Sequence, residues 1–327
     1  MISKKLVVTR NLTKIYGLEK NFLTSLISGP ASKAYALNGL NLEVAEKEIY
    51  GIVGESGCGK TTLGETLLGL RKPTRGDIFF DGVRLEELLE QDESYFRRSA
   101  QIIFQDPFGA LDPRYTVSGT VEEPLKVHQI ASRTGRQRLV YEILEKVGLS
   151  PAEDYLSKLP AELSGGERQR VCIARACVLN PKFLVADEPV SMLDVSVRAG
   201  ILKLLKLFQE ETNIAILYIS HDLSTVDYIA DKGAILYAGE IVEKGPEETL
   251  LKEPLHPYTI SLISAIPDLS NNGDQQPVIL PDGDIPESGC KFVPRCPRSR
   301  DICSKNDPRL RELANHEVAC HFPARRR

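Results

Sequence analysis

No apolar run in this sequence approaches the ~20 residues that a helix needs to cross a bilayer. The greasiest stretch, Ile201-Leu202-Lys203-Leu204-Leu205-Lys206-Leu207-Phe208, carries two lysines and predicts an amphipathic helix instead. The N-terminus lacks the apolar centre of a secretory signal, so a cytosolic chain is expected, with any membrane attachment running through other proteins. Positive charge is not in excess. The net charge is −4 over 327 residues, which excludes a global electrostatic attraction for nucleic acid. Arg325-Arg326-Arg327 is a short basic end, read as solvated. No internal repeat is evident. The seven cysteines are an odd number without a secretory signal, which argues against a disulfide framework. Hydrophobic residues make up 42%, enough for a substantial core and more than one module.

Against these absences stands a glycine-rich loop, Gly54-Glu55-Ser56-Gly57-Cys58-Gly59-Lys60-Thr61, followed by Thr62. It fits the G-x-x-x-x-G-K-[ST] pattern, follows the apolar Ile49-Tyr50-Gly51-Ile52-Val53, and precedes a helical pattern with Leu63, Leu67 and Leu70 on one face. Such glycines let backbone N–H groups turn toward phosphate oxygens. Lys60 would reach the β- and γ-phosphates, and the Thr61 hydroxyl would ligate Mg²⁺. Far downstream, Leu163-Ser164-Gly165-Gly166-Glu167 opens a second helix and has no lysine of its own. One nucleotide core with a spare anion-binding helix start predicts a dimer in which the spare end serves a partner's nucleotide.

The chain reads as α/β. Lys5–Thr9 and Leu40–Val44 are expected strands, with residues 18–34 between them looking like an insertion broken at Gly29-Pro30. Gly76–Val83 reads as a strand with an Asp-Gly turn. Residues near 91–165 carry longer amphipathic patterns, taken as an inserted helical subdomain. Phe183–Asp187 and Ile214–Ile219 are continuous apolar runs, as a buried parallel sheet requires. Ala234–Val242 looks like a hairpin. Beyond residue 245 prolines multiply, so a boundary is placed there, giving domains 1–245 and 246–327.

Acids end the second apolar strand. Asp187 can hold Mg²⁺ from a parallel strand's C-terminal end, and Glu188 can take a proton from water attacking a γ-phosphate. Ser220-His221-Asp222 ends a third strand, where His221 could meet the γ-phosphate or the attacking water. Gln105, after Gln101-Ile102-Ile103-Phe104, could sense Mg²⁺ and water. Near the C-terminus, Cys290-x5-Cys296-x6-Cys303-x16-Cys320 can hold zinc or an iron–sulfur cluster, with His316 and His321 leaving a mixed zinc site open. Cys58, Cys172 and Cys177 read as packing residues.

Together these residues resemble the ATP-binding cassette family, station by station, over about residues 5–245. Gly54–Thr62 matches its Walker A loop, Gln105 its Q-loop, and Phe183–Asp187 with Glu188 its Walker B strand and catalytic glutamate. Leu163–Glu167 matches the signature motif, with Glu167 where glutamine is commoner. Ser191-Met192-Leu193-Asp194 matches the D-loop, with methionine where alanine is usual, and His221 the switch histidine. The resemblance implies a P-loop NTPase cassette with an inserted helical subdomain, an antiparallel β subdomain and a small C-terminal cysteine-rich module. It also implies that two cassettes sandwich two ATP molecules, with Ser164, Gly165, Gly166, Glu167 and Asp194 completing the partner's site. In this family an aromatic stacks on adenine. Tyr16, in Asn11–Gly17, is the expected residue and Tyr35 its competitor.

The tail resembles the C-terminal extension of oligopeptide and dipeptide importer ATPases, through Pro254-Leu255-His256-Pro257-Tyr258-Thr259, Ala265-Ile266-Pro267 and Gly289–Pro297. Phe104–Pro107, Leu111–Arg114 and Asp187–Ser191 fit the same subfamily and look closer to its F-type subunit than to the D-type. That resemblance implies a [4Fe–4S] cluster at Cys290, Cys296, Cys303 and Cys320, with zinc as the alternative. It further implies a D-type ATPase partner, two membrane permeases, an extracytoplasmic solute-binding protein acting indirectly, and a place on the cytoplasmic face of the membrane. Peptide uptake is the leading reading. Import of sugars or nickel by the same machinery, a soluble cassette acting on nucleic acid or translation machinery, and a non-hydrolytic redox sensor are the alternatives.

Overall fold

A computed structural model describes residues 4–17, 33–265, 283–313 and 315–324. Most of the expected insertion at 18–34, the triple-arginine end, and Ile266-Pro267 lie outside the described residues. The chain divides into two compact units. The first comprises Met1–Leu6, Val44–Ile49 and Val83–Ser220, the second Val7–Glu43, Tyr50–Gly82 and His221–Arg327.

The first unit holds parallel strands in the order Ala100–Ile103, Phe183–Asp187, Ala215–Ser220. Every residue of the latter two is buried. Strands covered on both faces need apolar side chains along nearly their whole length, which is why these runs are continuous up to Asp187 and Ser220 at their ends. Between the first two strands come the helices Pro107–Ala110, Val117–Val127, Arg133–Lys146, Glu153–Leu156 and Gly165–Cys177. Thr116 and Ser132 cap two of them, accepting from the Gly119 and Gly135 N–H groups at 3.2 and 3.3 Å. The helix Val195–Thr212 turns Ile201, Leu202, Leu204, Leu205 and Phe208 inward and leaves Lys203 and Lys206 exposed, as the lysine-interrupted pattern predicts.

The second unit contains an antiparallel group, Lys33–Leu40, Lys5–Gly17, Arg75–Phe80, in that order. The expected single strand over Leu40–Val44 is broken after Leu40. Thr9 is the cause. Its hydroxyl donates to the Leu40 carbonyl at 3.1 Å and accepts the Leu42 N–H at 2.8 Å, occupying ladder bonds that a neighbouring backbone would otherwise make. A second group runs Arg311–Leu313, His316–Val318, Glu240–Pro246, Lys232–Tyr237, Ile49–Val53. The last two are parallel and the others antiparallel. Ala238 and Gly239 join the expected hairpin with φ of 49° and 78°, the positive values that a two-residue type I′ turn requires.

One buried carboxylate gathers two segments from beyond residue 246. Glu243 accepts the Leu255 N–H at 2.7 Å, the His256 N–H at 2.9 Å and the His316 Nε2 at 2.8 Å, at 0% exposure. Three donors from two distant segments thus converge on one strand residue. His256 in turn caps the helix Pro257–Ser264, its Nδ1 accepting the Tyr258 N–H at 3.1 Å, with Pro257 at the first helical position. Burial lowers the His256 pKa to about 4, against the opposing pull of Glu243.

A histidine kept neutral by the fold contributes stability above its ordinary pKa near 6.5 and loses it as pH falls toward 4. His256→Asn keeps a cap acceptor and removes that titration. The melting-temperature gap between wild type and His256→Asn should therefore narrow between pH 6.5 and about 4. A gap that stays constant would contradict this.

Candidate functional site

In the second unit, Ile49–Val53 runs into the glycine loop and the helix Lys60–Leu67 follows. Gly54 and Gly59 are required by space. A Cβ on Gly54 would collide with the Leu236 carbonyl, and one on Gly59, at φ 109°, with the Ala36 carbonyl. Gly59 is the N-cap, and among the described residues no side chain caps the helix, a start of the kind that suits an anion. Lys60 is 5% exposed, and its Nζ donates to the Gly54 carbonyl at 2.7 Å and the Glu55 carbonyl at 2.9 Å. A buried ammonium facing carbonyl dipoles gains from a bound anion, so the loop fits a phosphate-bearing ligand. The Cys58 Sγ lies 4.0 Å from the same Nζ, and burial pushes its thiol pKa up. Burial likewise raises Cys172 to about 11 and Cys177 to about 12, in keeping with packing roles.

Glu55 behaves differently from the other loop residues. Its N–H donates to the Tyr258 hydroxyl at 3.0 Å, and its carboxylate receives two bonds from Arg295, at 2.7 and 2.9 Å. Its amide is thus directed at Tyr258, leaving Ser56 to Thr62 as the phosphate-facing candidates. A cleft of about 500 Å³ opens here, lined by Glu55, Ser56, Gly57, Tyr237, Asp284 and Arg295 among others. Neither Tyr258 nor Arg295 stands out in the sequence, although both lie in segments that mark the C-terminal extension. Tyr16 is the penultimate residue of its strand, with Lys14 and Arg71 over its ring, 5.3 and 5.8 Å from the centroid. Tyr35, 49% exposed, precedes Ala36 and its contact with Gly59.

In the first unit, parallel strands deliver the polar residues to one edge. Asp187, 3% exposed, is the last residue of its strand, and Glu188 follows. Gln105 comes two residues after the strand Ala100–Ile103, and its Nε2 donates to the Glu188 Oε2 at 3.0 Å. Glu188 has φ 45°, a left-handed conformation that costs a side-chain-bearing residue on the order of 1–3 kcal/mol. It is held there by its N–H bond to the Ile219 carbonyl at 2.9 Å and by the Ser191 hydroxyl on its own carbonyl at 3.0 Å. His221, directly after the strand Ala215–Ser220, is exposed.

The second glycine motif starts the helix Gly165–Cys177 with Ser164 as N-cap. The Ser164 N–H and hydroxyl donate to Glu167 Oε2 at 2.8 and 2.7 Å, and the Glu167 N–H returns to the Ser164 Oγ at 3.3 Å. This capping box explains how glutamate serves where the family commonly has glutamine. The Ser164 bonds hold the Glu167 carboxyl below its ordinary range. Arg168 lies over the Phe108 ring at 4.2 Å, and Arg175 donates to the Ala110 carbonyl at 2.8 Å, tying this helix to the turn after Gln105. That turn borders a groove of about 660 Å³ with Asp112, Arg114, Tyr115 and Glu123 on its walls. Met192 is 56% exposed, and Asp194 begins the helix Val195–Thr212 without a side-chain cap bond.

The four C-terminal cysteines are brought together. Cys290, Cys296, Cys303 and Cys320 line one small cleft with His256 and His321, and the Cys290 N–H donates to the Cys303 carbonyl at 2.8 Å. All four are free thiols, and burial raises Cys290 to about 11. Their donor chemistry suits a soft metal, yet no group of three or more His, Cys, Asp or Glu side chains among the described residues is arranged to hold a metal ion. His316, the possible mixed ligand, is instead committed to Glu243. No described helix is long and apolar enough to cross a membrane.

Residues 37–191 match the ABC transporter family, and residues 242–303 match the oligopeptide/dipeptide transporter C-terminal region. The oligopeptide transport ATP-binding protein AppF of Bacillus subtilis (strain 168) is 42% identical over 295 residues, spanning 88% of this chain and 89% of AppF. A dimeric structure of a post-hydrolysis state of the ATP-binding cassette MJ0796, bound to ADP and Pi, superposes with a TM-score of 0.64. It is 30% identical, over 74% of this chain and 99% of that one. A second dimeric structure of MJ0796, a bacterial ABC transporter cassette, gives the same score at 29% identity.

Removing the capping box tests the local reading. Glu167→Gln should retain it, whereas Glu167→Ala should cost about 1 kcal/mol, read as a lowered unfolding midpoint. Equal stability of the two variants would show that the box contributes nothing.

Proposed function

This chain belongs to the ABC transporter ATPases of the oligopeptide/dipeptide importer family, as an ATP-hydrolysing subunit of a peptide importer, and from that premise we propose how its residues divide the work. The observation that carries the reading is the presence of two helix starts suited to phosphate, at Lys60–Leu67 and Gly165–Cys177, of which only the first has a lysine. The loop from Ser56 to Thr62 holds the chain's own ATP. Ser164, Gly165 and Gly166 meet the γ-phosphate of the nucleotide on a partner ATPase subunit. The dimeric form of MJ0796 supports that arrangement.

Glu188 is the general base. It accepts a proton from the attacking water as the water oxygen bonds to the γ-phosphorus and the bond to the ADP oxygen breaks. Gln105, bonded to Glu188, orients it, and His221 donates to a γ-phosphate oxygen. Mg²⁺, held by Thr61, Asp187 and Gln105, would neutralise charge on the phosphates when bound. Tyr16 stacks on adenine. Asp194, at a helix start without a side-chain cap bond, lies at the subunit boundary. ATP bridges the two subunits only in the closed pair, so its binding energy favours closure and hydrolysis removes that bias.

Membrane permeases are the partners that such a subunit drives. We assign the groove beside Phe108 and Tyr115, which are 55% and 50% exposed, to the permease contact. Arg168 and Arg175 then connect that contact to the signature helix. The finer assignments are an F-type subunit paired with a D-type one at the cytoplasmic membrane face, and a boundary near residue 245. The four cysteines are proposed as ligands of a [4Fe–4S] cluster, with zinc as the alternative. Their convergence on one cleft supports this, whereas closure to ligand geometry would require the thiols to move inward and lose their protons.

In the assembled importer, Glu188→Gln should bind Mg-ATP normally and lower hydrolysis by about 10²- to 10⁴-fold. Turnover near the wild-type rate would remove Glu188 from the base role. Gly165 separates the shared site from folding, because an added Cβ there meets nothing closer than Leu193 at 3.8 Å, whereas on Gly166 it would lie 2.7 Å from Val197. Gly165 and its counterpart in the partner, both replaced by valine, should therefore fold and bind ATP yet fail to hydrolyse it. Full turnover would end the shared-pocket reading. Anaerobically prepared protein should contain about four iron atoms and matching sulfide per chain. Stoichiometric zinc without iron would assign zinc, and neither would leave the cysteines as packing thiols.

A further inference from the structure

The C-terminal segment reaches the phosphate loop through two residues that none of the loop motifs includes. Arg295 closes a short 3-10 turn, Val293–Arg295, between Cys290 and Cys296. Its guanidinium makes a two-pronged bond to the Glu55 carboxylate at 2.7 and 2.9 Å, with the arginine side chain only 18% exposed. Tyr258, 1% exposed, accepts the Glu55 N–H at 3.0 Å. The Glu55 carbonyl accepts from Lys60 at 2.9 Å and from the Cys58 N–H at 3.3 Å. Every polar group of this loop residue is therefore held, two of the three by residues beyond position 250.

The holding residues are themselves fixed. Tyr237, Tyr258 and Phe292 pack as a ring cluster with centroids 4.6 to 5.5 Å apart. The Arg295 guanidinium lies 5.8 Å from the Tyr237 and Phe292 centroids. A planar, pre-ordered guanidinium on a carboxylate is a stiff connection, because two parallel bonds fix angle as well as distance. A phosphate loop works through the direction of its N–H groups, and small rotations of one peptide misdirect several of them.

We propose that Arg295 and Tyr258 are positioning residues for ATP binding, holding Glu55 so that the amides after it point at the phosphates. This rests on the reading of Gly54–Thr62 as the ATP loop. The C-terminal segment is then part of the nucleotide site, and Glu55 is the residue through which that segment is felt.

The test is a double-mutant cycle in the full-length chain assembled with its partner ATPase and permeases, reading the Mg-ATP dissociation constant, KM, kcat and unfolding midpoint. Arg295→Ala and Glu55→Ala should each weaken Mg-ATP binding about tenfold, and the double variant should be no weaker than either alone. KM should rise with the dissociation constant, while kcat stays within about threefold of wild type. Tyr258→Phe keeps the ring packing and removes only the hydroxyl, and it should weaken binding by a smaller factor in the same direction. Binding within about twofold of wild type in Arg295→Ala, or additive losses in the double variant, would overturn the proposal. So would a lowered unfolding midpoint with unchanged binding, which is what a purely structural bridge predicts. If Arg295→Ala does not assemble, Glu55→Gln removes the charge at nearly constant shape and takes its place in the cycle. Wild-type protein that binds no Mg-ATP would instead refute the ATP reading itself.

Discussion

Strands that run parallel and are buried on both faces can carry polar residues only where they end, and they all end on the same edge. That constraint organises the first unit. Phe183–Asp187 and Ala215–Ser220 are sealed along their whole length. The first polar groups this unit can present are therefore Asp187 and Glu188. Gln105 arrives by the same logic from Ala100–Ile103, close enough to bond Glu188. The left-handed Glu188 is the local cost of turning the chain sharply out of a sealed strand, and the Ile219 and Ser191 bonds offset it.

The second unit solves the complementary problem of presenting backbone to an anion. A loop that bares several N–H groups has few bonds of its own to hold it. Here Lys60 ties two carbonyls, Leu236 and Ala36 press against the glycines, and Arg295 and Tyr258 secure Glu55. Glu243 performs the corresponding service for the segment that supplies those last two residues, by gathering donors from Leu255, His256 and His316.

What the sequence reveals follows the distance over which each feature is encoded. The glycine loop, the strand-end acids and the capped signature helix are local patterns, and each lies where its pattern predicts. The break after Leu40 is not local. A threonine 31 residues away supplies the competing hydroxyl, and an alternating pattern cannot announce it. Arg295 and Glu55 are 240 positions apart. Nothing in the composition around either names the other, although the segment containing Arg295 is recognisable as the importer extension. The cysteine spacing shows a cluster, and the structure gathers the thiols on one cleft, but spacing alone says nothing of whether they close around a metal.

The separation between Glu55 and Arg295 has a consequence for how the protein comes into being. A ribosome makes the glycine loop 240 positions before its guanidinium partner. Until residue 295 is made the nascent chain carries an unbraced loop, and a message cut short between residues 222 and 295 yields a polypeptide bearing every cassette motif but not the brace. If the brace sets the loop as proposed, tight nucleotide binding waits on the synthesis of residue 295.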